Sequence, residues 1–335
     1  MIMKCAFRSV RDAERRAKGE MGMPDVVICI GGPTGCGKTA LGVALAKRFD
    51  GEAVSADSMQ IYRGMSIGSA APTPAEMDGV PHHMIAVADP SESWSVARYV
   101  AAATPIIDDI LKRGKRPFLV GGTGLWMDAA FRQGGFAGGQ RGGEVRRELE
   151  EALARDGIGP LRAELERVDP EAAARIHPSD AKRLLRALEV YRETGETITA
   201  HNARTQTLPP RYRAVWLGLR YRDRDEMKAA LDLRVDRMME AGLLEEARAL
   251  AAKVPRDATA LQAIGYKELI PALDGEKPLP DCVEEIKLRT RQLAKRQLTW
   301  FRRNREMFWI ERERGQDFSE VVRISTDYLL RLGVC

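Results

Sequence analysis

Short runs of consecutive apolar residues alternate with segments of helical periodicity along much of the chain. From Asp25 the pattern is a strand, VVICIGG, followed by a glycine turn, PTGCGKT, and a helical segment, ALGVALAKRF. The runs EAVSAD, RPFLVGG and RAVWLGL repeat the strand pattern, each near a helical segment. Continuous apolar strands of this kind are typical of a parallel sheet with helices on both faces. The pattern therefore predicts an α/β fold that opens like a doubly wound sheet.

A block of purely helical periodicity interrupts these strands. It follows a glycine-rich stretch at 132–143 and extends from Glu144 to about Thr194, so it is interpreted as an inserted helical subdomain. After the RAVWLGL run, the spacing predicts long helices over 224–252, 258–273 and 281–303, and a short strand at MFWIE. The predicted boundaries are an N-terminal extension at 1–23, an α/β core at 24–131 and 207–316, a helical insertion at 132–206 and a C-terminal tail at 317–335.

Composition and charge narrow the class of protein. The chain has 335 residues, of which 44% are hydrophobic and 30% charged, and no apolar run approaches the roughly 20 residues of a membrane helix. Its five cysteines show no C-x-x-C spacing, which argues against a zinc site or a disulfide framework and favours a cytoplasmic location. Residues 286–314 contain ten Lys or Arg and three Glu. Such a basic segment is typical of contact with a phosphate backbone or, equally, of a solvated helix face.

The strongest single motif is a phosphate-binding loop. It satisfies the G-x-x-x-x-G-K-[ST] consensus directly after a strand and directly before a helix. Backbone N–H groups of such a loop converge on phosphate oxygens, Lys38 adds a positive charge, and the Thr39 hydroxyl is a candidate Mg²⁺ ligand. The predicted diphosphate-binding residues are Gly32, Pro33, Thr34, Gly35, Cys36, Gly37, Lys38 and Thr39.

A phosphate loop alone most often binds a nucleoside triphosphate. An NTPase usually has a second strand that ends in an aspartate, whereas RPFLVGG ends in glycines. The strand-end carboxylate is instead Asp57, after EAVSA. In a kinase it would orient the metal or the nucleophile, in another transferase it could take a proton from the acceptor, and otherwise it would cap a helix.

Several segments together resemble the tRNA dimethylallyltransferase family, and they occur in family order from about residue 26 to 310. They are GPTGCGKT, SADSMQIYRGMSIGSA, PHHMI with DPSESWSV, LVGGTGLW, RIHPSDAKRLLRALEVYRETG, AIGYKEL and RTRQLAKRQLTWFR. The resemblance implies a P-loop core with a helical insert, in agreement with the periodicity, and a monomer. The chain departs from the family pattern at Trp126 (generally Tyr), Ser69 (Thr) and Ala71 (often Lys).

The resemblance also implies an activity. A dimethylallyl group would pass from dimethylallyl diphosphate to N6 of adenosine 37, next to the anticodon, in tRNAs that read codons beginning with U, with Mg²⁺ as cofactor. Asp57 is implied as the base for the N6 proton, and Thr123 and Arg234 as groups that contact the leaving diphosphate. The residues implied to contact the tRNA anticodon stem-loop are Asp57, Ser58, Met59, Gln60, Lys182, Arg183, Arg186, Gln262, Gly265, Tyr266, Lys267, Lys295, Arg296, Gln297, Trp300 and Arg302.

Three rival functions stay in view. An adenylate isopentenyltransferase resembles the same core but accepts a free nucleotide, so it would need neither the basic segment at 286–314 nor the helical insertion. A small-molecule kinase is disfavoured because the second strand-end aspartate is missing. A non-catalytic RNA-binding module would have no use for Lys38, Thr39 and Asp57 together.

Overall fold

The computed structural model describes residues 26–132, 143–313 and 315–334. Within them, six strands form one parallel sheet in the order β3-β2-β4-β1-β5-β6. The strands are β1 (Val26–Gly31), β2 (Gly51–Ser55), β3 (His82–His83), β4 (Arg116–Val120), β5 (Arg213–Tyr221) and β6 (Phe308–Arg312). β1 is paired on both edges and buried along its whole length, which explains its unbroken apolar sequence. The loop that follows β1 therefore starts at the centre of the sheet.

Helices cover both faces of this sheet. Among the described residues, four helices precede residue 132 and five follow residue 211, and the five helices between them, α5 to α9, are described below. The nine are α1 (Lys38–Arg48), α2 (Pro74–Met77), α3 (Val96–Lys112), α4 (Gly124–Ala130), α10 (Arg224–Glu240), α11 (Leu243–Ala251), α12 (Ile270–Leu273), α13 (Leu279–Phe301) and α14 (Phe318–Arg331). On one face the buried residues include Tyr99 and Ile107 of α3, and on the other they include Leu41 and Leu45 of α1. The two residues are eight positions apart in α3 and four apart in α1, so in each helix they project from the same side onto the sheet.

By internal contacts the chain divides into two compact units. The first joins the segment up to Phe131 with the segment from Tyr212 onwards, and the second runs from Arg132 to Arg211. Within the described part of the second unit, five helices pack around leucines such as Leu149, Leu165 and Leu188. They are α5 (Glu144–Asp156), α6 (Ile158–Val168), α7 (Pro170–Arg175), α8 (Ala181–Thr194) and α9 (Ile198–Gln206). The insertion predicted at 132–206 falls inside this unit.

The predicted α/β class with a parallel sheet is confirmed, but the helix predictions after β5 need correction. The single helix predicted over 224–252 is two helices, because Gly242 adopts a left-handed φ of 97° between them. The helix predicted over 258–273 is replaced by a 3-10 turn at Ala260–Gln262 and the four-residue α12. Apolar spacing alone could not separate these tight turns from a continuous helix.

The predicted C-terminal tail at 317–335 contains the helix α14. Asp317 accepts a hydrogen bond from the backbone N–H of Ser319 and caps its start. Val321 and Leu329 are buried in the same cluster as residues of α1. The predicted N-terminal extension at 1–23 lies outside the described residues. Among the residues that are described, no helix has the length and apolar character needed to cross a membrane.

Candidate active site

The loop between β1 and α1 has the backbone that phosphate binding requires. Gly32, Gly35 and Gly37 have φ values of 142°, 78° and 90°, which residues with a side chain rarely adopt. A Cβ atom at Gly32 would lie 2.2 Å from the Leu219 carbonyl oxygen of β5, so only glycine fits there. The Lys38 Nζ donates a hydrogen bond to the Pro33 carbonyl at 2.8 Å. The lysine therefore lies along the inner side of the loop, where it can meet a bound phosphate.

Two positive side chains lie near one carboxylate at this site. Lys38 and Arg234 are half-buried, and their removal from water lowers the pKa of both groups. The negative charge of Asp57 opposes that decrease in each case. Cations that have lost part of their hydration gain more from a bound anion than fully solvated ones, because water competes less with the contact. The local electrostatics favour a ligand with several negative charges.

Two cavities meet at Asp57 and Arg234. The first has a volume of about 250 Å³ and is lined by the phosphate loop, including Lys38 and Thr39. The second has a volume of about 420 Å³ and a largely apolar lining surface, and Met59 and Leu125 are among its residues. The residues that line both cavities are Thr34, Asp57, Ser69, Gly122 and Arg234. A group held in the first cavity would thus adjoin a group held in the second.

The sheet topology brings Asp57 and Thr123 together. Asp57 follows β2 and Thr123 follows β4, and these two strands are parallel neighbours. The Thr123 N–H donates to the Ala56 carbonyl at 3.1 Å, and the Thr123 Oγ1 accepts from the Ser58 N–H at 3.1 Å. Asp57 Oδ1 accepts from the Met59 N–H at 2.9 Å. Both side chains are therefore oriented by backbone N–H groups of the loop that follows β2.

Helix α13 connects the loops around the site. The amide of Gln297 accepts from the Thr34 N–H at 2.8 Å and donates to the Gly122 carbonyl at 3.1 Å. Trp300 Nε1 donates to Asp128 at 2.9 Å, and a Cβ atom at Gly124 would lie 2.1 Å from its ring. These contacts explain Gly122 and Gly124, since larger residues there would meet Gln297 and Trp300 and displace α13.

Arg312 of β6 contacts the phosphate loop, which the sequence did not indicate. Its Nη1 donates to the Cys36 carbonyl of the phosphate loop at 3.0 Å. The guanidinium lies over the rings of Tyr221 and Phe318, with the carbon 4.9 Å and 5.5 Å from their centroids. Arg312 and Cys36 are 276 positions apart, so no local pattern could have linked them.

The residues implied to contact tRNA are spread over several parts of the structure. Gln60 lines the first cavity and the buried Tyr266 packs against Gly68, while Lys267, Lys295 and Arg302 are exposed. Lys182, Arg183 and Arg186 are in the second unit, in the first two turns of α8. Those that line the second cavity, together with Asp57, are Ser58, Met59, Gln262, Gly265, Arg296, Gln297 and Trp300.

The oxygen atoms that line the first cavity fit a magnesium ion that is also held by phosphate oxygens of a bound ligand. The Thr39 side chain lies in the first turn of α1 and lines this cavity together with Asp57. In the described part of the chain, no group of three or more His, Cys, Asp or Glu side chains could hold a metal ion. Mg²⁺ commonly uses one or two protein oxygens, substrate phosphates and water, and does not need a closed protein cage.

Comparison with known families agrees with this geometry. Residues 60–304 match the family model described as IPP transferase, and residues 25–87 match the one described as isopentenyl transferase. The chain belongs to the IPP transferase family. The resemblance inferred from the motifs is thereby confirmed, and the matched residues include both Asp57 and the residues of α13 that line the second cavity.

Individual relatives of the IPP transferase family cover most of the chain. The tRNA dimethylallyltransferase of Halalkalibacterium halodurans is 45% identical over 86% of this chain and 92% of its own length. That of Bacillus subtilis is 44% identical over 85% of this chain and 90% of its own.

Solved structures also agree. The tRNA isopentenylpyrophosphate transferase of Bacillus halodurans superposes with a TM-score of 0.69 at 41% identity, covering 92% of this chain and 96% of that one. A eukaryotic dimethylallyltransferase, described as acting on tRNA, gives a TM-score of 0.79 at 30% identity, covering 91% of this chain and 80% of that one. The P-loop architecture is therefore that of the family.

Proposed function

We propose that this enzyme transfers a dimethylallyl group from dimethylallyl diphosphate to N6 of adenosine 37 in the anticodon loop of tRNA and releases diphosphate. The observation that carries the proposal is the meeting of a phosphate-loop cavity and a largely apolar cavity at Asp57 and Arg234. The names of its family relatives support the same activity. Preference for tRNAs that read codons beginning with U, a monomeric state and a cytoplasmic location, where the tRNA acceptor resides, belong to the proposal.

The first cavity suits the diphosphate end of the donor. Backbone N–H groups of the phosphate loop and the start of α1 would bind its oxygens, and Lys38 and Arg234 would offset its charge. Thr123, fixed beside Asp57, would donate a hydrogen bond from its hydroxyl to an oxygen of the leaving group. Mg²⁺, held by Thr39 and the diphosphate, would supply further positive charge to the leaving oxygens.

The second cavity suits an adenine base. Its volume of about 420 Å³ and its wall of Met59, Leu125 and Trp300 offer an apolar surface for a flat ring. A base in a duplex or a stacked loop must leave its stack to reach such a cavity, and single-stranded loop bases do so most easily. Arg296 lines the same cavity on the basic segment, where it can meet RNA phosphates.

The bond changes follow from this arrangement. The lone pair of N6 attacks the allylic carbon, the bond from that carbon to the diphosphate oxygen breaks, and both of its electrons leave with the diphosphate. The N6 proton passes to the Asp57 carboxylate, which is held by the Met59 N–H. An exocyclic amine is a weak nucleophile, so a placed base would accelerate the step by about 10² to 10⁴.

A transfer assay tests this proposal. The enzyme is incubated with Mg²⁺, labelled dimethylallyl diphosphate, and either an anticodon stem-loop with consecutive adenines or free AMP. We expect label on N6 of the stem-loop adenosine, and a turnover reduced by about 10² or more in Asp57→Asn. Pyrophosphate binding should survive in that variant, because the phosphate loop is intact. Asp281→Asn, an exposed aspartate at the start of α13, is the control.

Other outcomes point to the rivals. Label on AMP alone would indicate an adenylate isopentenyltransferase. No transfer to either acceptor, together with ATP-dependent phosphorylation of a small molecule, would indicate a kinase.

A further inference from the structure

One short loop forms a wall of both cavities. Residues 65–70, here called the wall loop, contribute Gly68 and Ser69 to the second cavity and Ser69 and Ala70 to the first. Ser69 is therefore one of the five described residues that line both cavities. The wall loop therefore lies beside the place where the two cavities meet.

A single carboxylate outside the wall loop binds three consecutive backbone amides within it. Glu246, in the first turn of α11, accepts from the N–H groups of Ser66 at 2.9 Å, Ile67 at 3.0 Å and Gly68 at 3.0 Å. It also accepts from the Ser66 hydroxyl at 3.0 Å. Successive N–H groups that converge on one anion form a strong and specific contact. Glu246 is thus the main anchor of this side of the loop.

Tyr266 completes the anchor. Its hydroxyl donates to Glu246 Oε1 at 2.5 Å, and its fully buried ring lies so close to Gly68 that a Cβ atom there would be 2.4 Å away. Burial, together with the hydrogen bond to Glu246, raises the pKa of Tyr266, so the hydroxyl stays protonated and remains a donor. The carboxylate and the ring therefore both hold Gly68 in place.

The far end of the wall loop is held separately. Gln60 Nε2 donates to the Ala70 carbonyl at 3.1 Å, and Gln60 Oε1 accepts from the Ser55 hydroxyl at the end of β2. Ala70 itself has a left-handed φ of 46°, a conformation that alanine adopts only when its surroundings impose it. Anchored at both ends, the wall loop has a defined position relative to Asp57.

We propose that Glu246 is a positioning residue for prenyl transfer, which acts by fixing the wall loop between donor and acceptor. The inference rests on the proposed function. Glu246 is not among the described residues that line either cavity, so its effect reaches the reactants through the groups that it holds, namely the wall loop and Tyr266. The phosphate loop makes none of the contacts described for Glu246. Loss of the anchor should therefore lower turnover and leave diphosphate binding intact.

The test compares Glu246→Gln with Glu245→Gln. Both glutamates are in the first turn of α11, but Glu245 is exposed, so the two variants change charge equally. In Glu246→Gln an NH₂ group would face backbone N–H donors, because an amide has one acceptor oxygen where the carboxylate has two. We expect kcat for stem-loop prenylation to fall by about ten- to a hundredfold. The Kd for pyrophosphate should stay within about twofold of the wild-type value, and Glu246→Asp should recover part of kcat.

Amide hydrogen exchange supplies a second readout. In Glu246→Gln, the amides of residues 66–68 should exchange faster, while those of the phosphate loop at 32–39 keep their protection. Turnover equal to that of Glu245→Gln would overturn the proposal. Loss of protection spread equally over both loops, with weaker pyrophosphate binding, would also overturn it, since that pattern indicates general destabilisation.

The assay separates the two levels of inference. If the wild type transfers label to neither the stem-loop nor AMP, the proposed function fails. In that case unchanged exchange at 66–68 in Glu246→Gln would overturn the anchor as well, whereas faster exchange confined to these residues would support it.

Discussion

Glu52 illustrates at the scale of one residue how a buried charge is accommodated in the sheet. It lies in β2 with only 4% of its surface exposed. Arg113 forms a bidentate ion pair with it, and the His83 Nε2 lies 2.9 Å from Oε2. The hydrogen bonds of Arg113, which have the largest effect, and that of His83 lower the pKa of Glu52 to about 2, although burial alone would raise it. The ionised carboxylate is therefore strongly favoured in the folded state.

This pKa predicts a component of acid sensitivity. In the unfolded chain Glu52 takes up a proton near pH 4.5, but in the folded protein it does so only near pH 2. Its stabilisation is complete above pH 4.5 and is lost as the pH falls toward 2, by an amount of about 2 to 3 kcal/mol. We expect the stability of Glu52→Gln to depend less steeply on pH between 5 and 3, as measured by urea unfolding at several pH values. A slope as steep as that of the wild type would contradict the assignment.

Single residues also show which parts of the site could be read from the sequence. Lys38 and Asp57 occur next to strands, and their local patterns suffice because the backbone around them sets their position. Glu246 and Arg312 have no such pattern. Each contacts a loop that is 178 or more positions away along the chain and comes close only after folding. Their roles arise from tertiary contacts, which a local pattern does not record.

At the scale of elements, α13 does more than the basic segment suggested. Its charged residues Lys295 and Arg296 are exposed, and so is Arg302 directly after its end, as a surface for RNA phosphates requires. Its Gln297, which the family resemblance implies as a tRNA contact, hydrogen-bonds the phosphate loop and the loop after β4. Five of the six strands could be predicted from their continuous apolar runs and α13 from its regular helical spacing, whereas the two-residue β3 was not predicted. The turns around α12 and the cap of α14 depend on single residues and were missed.

The contacts of Gln297 predict a donor-side defect. Gln297→Ala removes the acceptor of the Thr34 N–H and the donor to the Gly122 carbonyl, so the phosphate loop and its neighbour lose their common support. Each lost hydrogen bond costs about 1 kcal/mol. We expect the KM for dimethylallyl diphosphate to rise about five- to thirtyfold, as measured by steady-state transfer. The control is Gln292→Ala, five residues earlier in the same helix. A defect confined to the KM for the stem-loop would assign Gln297 to the tRNA alone.

At the scale of the whole molecule, the chain combines a catalytic unit with a helical one. The two cavities are lined by residues of the first unit alone. The helical unit has its own leucine core, so charged residues on its surface do not affect the packing of the sheet. Lys182 and Arg183 are exposed at the start of α8, and Arg183 pairs with Asp180 at 3.2 Å. The insertion was predictable because its helical periodicity differs sharply from that of the flanking strands.

If the helical unit contributes to tRNA binding, its cations should determine part of the salt dependence. Replacing Lys182 and Arg183 by alanine removes two positive charges, and each phosphate contact adds about 0.9 to the slope of log K against log salt concentration. We expect weaker stem-loop binding, a slope less steep by about 2, and an unchanged KM for dimethylallyl diphosphate. The charge-matched control is Arg167→Ala with Arg175→Ala, two exposed arginines of α6 and α7. Fluorescence titrations from 50 to 300 mM salt would measure the slopes. An equal change in both double variants would reduce the effect to net charge. A change confined to Lys182 and Arg183 would assign the start of α8 to tRNA recognition, since only contact at a defined site separates variants of equal charge.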